Sequence, residues 1–122
     1  MRQDKSDSPG AGEPNASRWK TALLLALRTP RQARPGEVNY GFVDRFTFAH
    51  FGIGLVYALL GLNFLIAILL ALAWEIIENP LKAHVPSIFP HGTADTLRNS
   101  IGDTLAVLAG WWITTVTLPI FL

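Results

Sequence analysis

From Phe46 to Trp74 the chain carries no Asp, Glu, Lys or Arg, and the run closes on two carboxylates, Glu75 and Glu78. Such a stretch reads as membrane-embedded, and a charged side chain at bilayer depth costs about 2.5–3.5 kcal/mol. Residues that bear this cost usually face protein or water and carry function. The stretch is too long for one span of roughly 17–25 helical residues, and Gly61-Leu62-Asn63 supplies a turn signal near its middle. The sequence therefore predicts an all-α integral membrane protein with three transmembrane helices. Two short helices, about 46–61 and 63–79, form a hairpin, and a third span covers about 99–121. Trp111 and Trp112 fall mid-segment, where they read as packing residues rather than interfacial anchors.

Charge is distributed unevenly. Residues 1–45 hold eight of the chain's 10 Lys and Arg, and the remainder holds only Lys82 and Arg98. Residues 1–16, with Pro9, Pro14 and few large apolar groups, read as a disordered arm. Ser17 is a candidate N-cap for a short helix over 18–28, whose apolar centre is too short to span. An interfacial helix with Trp19 and the leucines at the acyl boundary fits this segment better than a signal peptide does. Residues 29–36 read as a linker, so that 17–43 form an interfacial helix and linker ahead of a membrane domain over 44–122. The basic arm points to membrane lipids with anionic headgroups as its partners, not to nucleic acid. The hairpin returns the chain to its starting side, so the arm and the 80–98 loop share a compartment and contain all the Lys and Arg. By the positive-inside rule both are cytoplasmic and the C-terminus lies outside.

This topology brings polar residues to one depth. His50 lies near the cytoplasmic start of the first span, and Glu75 and Glu78, spaced i,i+3, near the cytoplasmic end of the second. A helix beginning near Ala94 would align Asp95, Asn99 and Asp103 as a stripe at the start of the third. Six residues, His50, Glu75, Glu78, Asp95, Asn99 and Asp103, thus form a candidate ligand-binding site. Clustered carboxylates repel, so a shared proton, a bound cation or the guanidinium of Arg98 must neutralise them. Glu75, Glu78, Asp95 and Asp103 are candidate metal ligands, and oxygen-rich ligation with one imidazole suits magnesium, manganese, calcium or iron better than copper. The absence of cysteine excludes iron–sulfur clusters and zinc fingers. His84 and His91 fall in a proline-containing loop and read as surface residues, leaving His50 without a partner for a bis-histidine haem.

Asp44-x-x-Thr47-Phe48-Ala49-His50, Tyr57-Ala58-Leu59, Trp74-Glu75-Ile76-Ile77-Glu78-Asn79 and Asp95-Thr96-x-x-Asn99-Ser100-x-x-Asp103-Thr104-Leu105 with Gly110 resemble an uncharacterised bacterial inner-membrane family similar to the VanZ-like, teicoplanin-resistance-type proteins. The resemblance covers about residues 44–112. It implies that His50, Glu75, Glu78, Asn79, Asp95, Asn99 and Asp103 occupy the family's polar positions, and that the protein sits in a bacterial inner membrane. The chain departs from that pattern at Ile53, where the family carries a second His, and at Ala94, where it carries Gly. It also lacks the family's extra spans, which implies self-association or a partner.

Three functions follow as expectations. One is a membrane protein whose carboxylate/His site binds a cation or a polar lipid-linked ligand in an envelope-related role. Another is an accessory or scaffold subunit, packing as a homo-oligomer or on a larger complex through Gly52, Gly54, Gly102 and Gly110. A third is a metal-dependent lipid-phosphate enzyme. No D-G-x-x-A-R or P-S-G-H signature and no Ser–His pair suited to intramembrane proteolysis is present, so the residues favour a binding role over catalysis.

Overall fold

A computed structural model describes residues 15–90 and 92–121. Residues 1–14 of the expected disordered arm, and His91, lie outside them. The described residues form four helices and no strand: α1 (Asn15–Ala26), α2 (Arg45–Leu59), α3 (Phe64–His84) and α4 (Leu97–Phe121). Helix α1 begins before the expected Ser17 cap, because Ala16 propagates a helix better than any other residue.

Asp44 starts α2 with a reciprocal capping box. Its Oδ1 accepts from the backbone N–H of Phe46 (2.7 Å) and Thr47 (3.2 Å), while Thr47 Oγ1 accepts from the Asp44 N–H (3.0 Å). The helix ends at the expected turn, where Gly61 takes φ +71°, a conformation glycine adopts without steric cost. Asn63 then caps α3 through the Ile66 N–H at 3.0 Å.

Helix α3 does not stop at Asn79-Pro80 as the sequence suggests; it runs through Pro80 to His84. An interior proline lacks one backbone N–H and costs about 3 kcal/mol, so tertiary contacts must hold the last turn. Lys82 reaches Glu78 and Asp95, and the His84 ring lies 2.7 Å from the Pro80 carbonyl oxygen and 3.0 Å from that of Leu25. His84 is exposed, as expected.

Helix α4 starts later than a stripe from Ala94 requires. Thr96 Oγ1 accepts the Asn99 N–H (3.2 Å), making Thr96 the cap and leaving Asp95 in the preceding loop. Residues 31–41 are not a free linker: they dock on 93–99. Ala33 N–H donates to the Ala94 carbonyl (3.0 Å), Ala94 N–H to that of Arg31 (2.9 Å) and Thr96 N–H to that of Asn39 (3.0 Å). Arg31 donates to both oxygens of Glu37, at 2.6 and 2.8 Å, and with the Arg34 N–H holds that carboxyl down to about 2.

Helix α4 packs against both α2 and α3, whereas α2 and α3 hardly touch, so the expected hairpin is a splayed pair bridged by α4. Close approach of α2 and α4 depends on small residues. A Cβ on Gly54 would collide with the Val107 carbonyl oxygen and lie 2.8 Å from Trp111 N; one on Gly110 would collide with the Phe51 carbonyl, and one on Gly102 with that of Phe42. These glycines therefore serve contacts within the chain, and only Gly52 of the expected interface set faces open space. Gly54→Ala should cost about 1–3 kcal/mol through overpacking, with Gly52→Ala unchanged, in thermal unfolding in detergent. Equal midpoints for the two variants would contradict this packing.

Burial is inverted relative to a water-soluble bundle. His50, Glu78, Lys82, Asp95, Asn99 and Asp103 are buried, while Phe48 and Ile76 are each 74% exposed. Trp111 is buried and donates from Nε1 to the Leu62 carbonyl at 2.7 Å, but Trp112 points outward. Helix α3 and the Leu97–Pro119 part of α4 are long and apolar enough to cross a membrane. Helix α2 has 15 residues, roughly 22 Å at 1.5 Å per residue, and is short of a full span by length alone.

Candidate functional site

Helix α2 supplies His50, α3 supplies Glu75 and Glu78, and α4 supplies Asp103; the four meet where the helices converge. His50 Nδ1 lies 4.0 Å from Glu75 Oε1, and His50 Nε2 lies 3.8 Å from Glu78 Oε2 and 3.6 Å from Asp103 Oδ2. Each distance exceeds a hydrogen bond. The ring is therefore ringed by three carboxylates without being bonded to any of them.

Each remaining acid has its own partner. Lys82, 5% exposed, donates to both oxygens of Asp95 at 2.7 Å and pairs with Glu78 Oε1 at 3.0 Å. The Asp95 N–H donates to Asn79 Oδ1 at 2.8 Å. Asp44 accepts from the N-terminus of α2 and, through Oδ2, from the Asn39 N–H at 2.7 Å. Thr47 Oγ1 donates to Asp103 Oδ1 at 2.6 Å, fixing one oxygen and turning the other toward His50.

Glu75 has Ser100 beside its carboxyl but is only partly satisfied. Its side chain is nine-tenths buried, and Oε2 has no hydrogen-bond partner. Buried carboxylate oxygens without partners are rare and carry a large desolvation cost. One ligand atom each from His50, Glu75 and Asp103 lies within 4.8 Å of the others. In an octahedral shell with bonds of about 2.1 Å, cis ligand atoms stand about 3.0 Å apart and trans ones about 4.2 Å, so ligation requires the side chains to close inward by roughly 1 Å. One nitrogen with carboxylate oxygens suits manganese or iron among divalent ions, with Glu78 Oε2 near enough to join.

Of the six residues expected from sequence, four meet at one centre and two have other partners. His50, Glu75, Glu78 and Asp103 surround the centre. Asp95 belongs to the Lys82 pair. Asn99 is fully buried: its Nδ2 donates to the Gly41 carbonyl (3.0 Å) and to Asp44 Oδ2 (3.4 Å), tying the docked segment to α4, while its Oδ1 has no hydrogen-bond partner. Arg98 is exposed and makes no ion pair among the described residues, so the neutralising cation is Lys82 instead. Sequence reasoning missed Lys82, Asp44 and Thr47. The available signals were the i,i+4 pair Glu78/Lys82 and the capping pattern Asp44-x-x-Thr47.

No family model matches the chain, and comparisons with curated proteins and with solved structures return no match.

Proposed function

We propose that the chain is a multi-pass membrane protein that binds one divalent cation between His50, Glu75 and Asp103. The partnerless, buried Glu75 Oε2 carries this reading. Among the described residues Lys82 is the only buried Lys or Arg, and it is spent on Asp95 and Glu78. Glu75 and Asp103 are left beside an imidazole with no fixed positive charge of their own. A cation with two positive charges balances both carboxylates and satisfies the orphan oxygen.

The inverted burial supports the membrane placement, since the exposed apolar side chains on the outward faces of α3 and α4 suit lipid. In this reading α2 crosses with them, with the docked 31–41 segment at the membrane surface on one side and the Gly61 turn on the other. The concentration of Lys and Arg in the arm and the 80–98 loop supports a cytoplasmic N-terminus, and the exposed Trp19 and leucines of α1 suit an interfacial position. Resemblance of the polar motifs to VanZ-like proteins extends the proposal to an envelope-related role in a bacterial inner membrane. The chain has no cysteine, which makes labelling direct: Leu60→Cys should react with an impermeant maleimide in intact cells and Lys5→Cys only after permeabilisation. The reverse pattern would overturn the orientation.

The cation reading is tested by titrating purified, metal-stripped protein with Mn(II). It requires saturation at one ion per chain and loss of that binding in Glu75→Gln. Equal uptake by the two proteins would dismiss it.

A further inference from the structure

The space between the splayed helices α2 and α3 is not empty of chemistry. It opens into a cavity of about 740 Å³ walled by Phe46, Ala49 and Ile53 of α2, by Trp74, Glu78 and Lys82 of α3, and at one end by the 31–39 and 88–93 segments. A smaller cavity of about 230 Å³ shares His50, Ile53 and Trp74 with it and extends to Tyr57, two turns further along α2. The larger volume falls within the roughly 300–1,000 Å³ typical of sites for small ligands.

Charge along this cleft is ordered. Arg31, Glu37 and Arg45 stand at the end where α2 begins; His50, Glu78 and Lys82 line the wall further in, beside the apolar surface of Ala49, Ile53 and Trp74. Arg31 is already engaged by Glu37. Arg45 is exposed, lies over the Phe46 ring at 5.0 Å and makes no ion pair among the described residues. A free guanidinium at the membrane-surface end of an apolar cleft matches an amphiphile with an anionic phosphate head, because guanidinium binds phosphate oxygens through paired N–H donors. A zwitterionic head gives Arg45 less net attraction, and a purely apolar occupant none.

We infer that the cleft between α2 and α3 holds one anionic phospholipid, its phosphate at Arg45 and one acyl chain along Ala49, Ile53 and Trp74. The inference rests on the membrane placement proposed above, and the cleft borders the proposed cation site at His50 and Glu78. The lipid enters laterally between helices that consecutive sequence would otherwise bring into contact, and it fills the gap that α4 leaves.

Native mass spectrometry of the full chain, released from a neutral detergent with dioleoyl phosphatidylglycerol or dioleoyl phosphatidylcholine, tests this. The expected spectrum shows one retained phosphatidylglycerol per chain. Arg45→Gln should weaken that adduct about tenfold, the effect of losing a hydrogen bond to a charged group. Ala49→Trp, which fills the cleft, should remove it. The thermal unfolding midpoint in detergent, measured in parallel, should stay unchanged in both variants and reports their folding. Equal retention of the two lipids, an adduct unaffected by Ala49→Trp, or a dimer in place of the lipid adduct would overturn the inference. Loss of Mn(II) binding with the lipid adduct intact would count against the cation site alone, and recovery of the chain in the soluble fraction after alkaline extraction would count against the membrane placement.

Discussion

Replacing Lys82 by methionine is expected to destabilise the protein by about 3–5 kcal/mol, the range for removing one partner of a buried ion pair. Lys82 is 5% exposed and holds Asp95 through both carboxylate oxygens and Glu78 through one. Methionine preserves the length and apolar stem but leaves two buried acids without their cation. The loss should appear as a lower thermal unfolding midpoint in detergent. Adding Asp95→Asn to Lys82→Met should recover part of it, because the uncompensated charge, not the lost contact, dominates the cost. A Lys82→Met midpoint equal to that of the unmodified chain would mean that this pair does not hold the end of α3 to the loop before α4.

Lys82 also marks where the sequence ceases to be legible. The Asn79-Pro80 pair signals a helix stop by local rules, and those rules place Lys82 in a surface loop. The contacts of Lys82 and His84 across the chain override that local preference, and the extra turn puts Lys82 on the same face as Glu78. The start of α4 shows the same limit on a smaller scale: the hydroxyl of Thr96 caps the helix and bonds the Tyr40 carbonyl at 2.7 Å, which removes Asp95 from the helical stripe. Other features were readable because they are local. The turn at Gly61 and the helix register of Glu75 and Glu78 follow from spacing along the chain. Which helices pack together does not follow from spacing. Gly54 and Gly110 allow close approach, but nothing local shows that α4 would take the place of α3 beside α2.

The second large effect concerns cation affinity. Glu75→Gln removes a ligand oxygen and a negative charge, and should abolish saturable Mn(II) binding. In the metal-stripped protein the same change should leave the unfolding midpoint unchanged or raise it, because it relieves repulsion among Glu75, Glu78 and Asp103. A structural role for Glu75 has the opposite sign, since removal of a supporting carboxylate lowers the midpoint with or without metal. Thr47→Val should weaken binding about 10–100-fold by freeing the Asp103 carboxylate, as loss of a group that orients a ligand typically does. Saturating Mn(II) at about 100 times its dissociation constant should stabilise the unmodified chain by about 2.7 kcal/mol. That shift should vanish in Glu75→Gln and shrink in Thr47→Val.

Pulsed electron paramagnetic resonance of the Mn(II)-loaded protein addresses the site itself, since it reports which nuclei touch the ion. Ligation by His50, Glu75 and Asp103 predicts nitrogen coupling from one imidazole that disappears in His50→Leu. A spectrum with solvent-proton couplings alone, identical in the two proteins, would contradict a cation held at this centre.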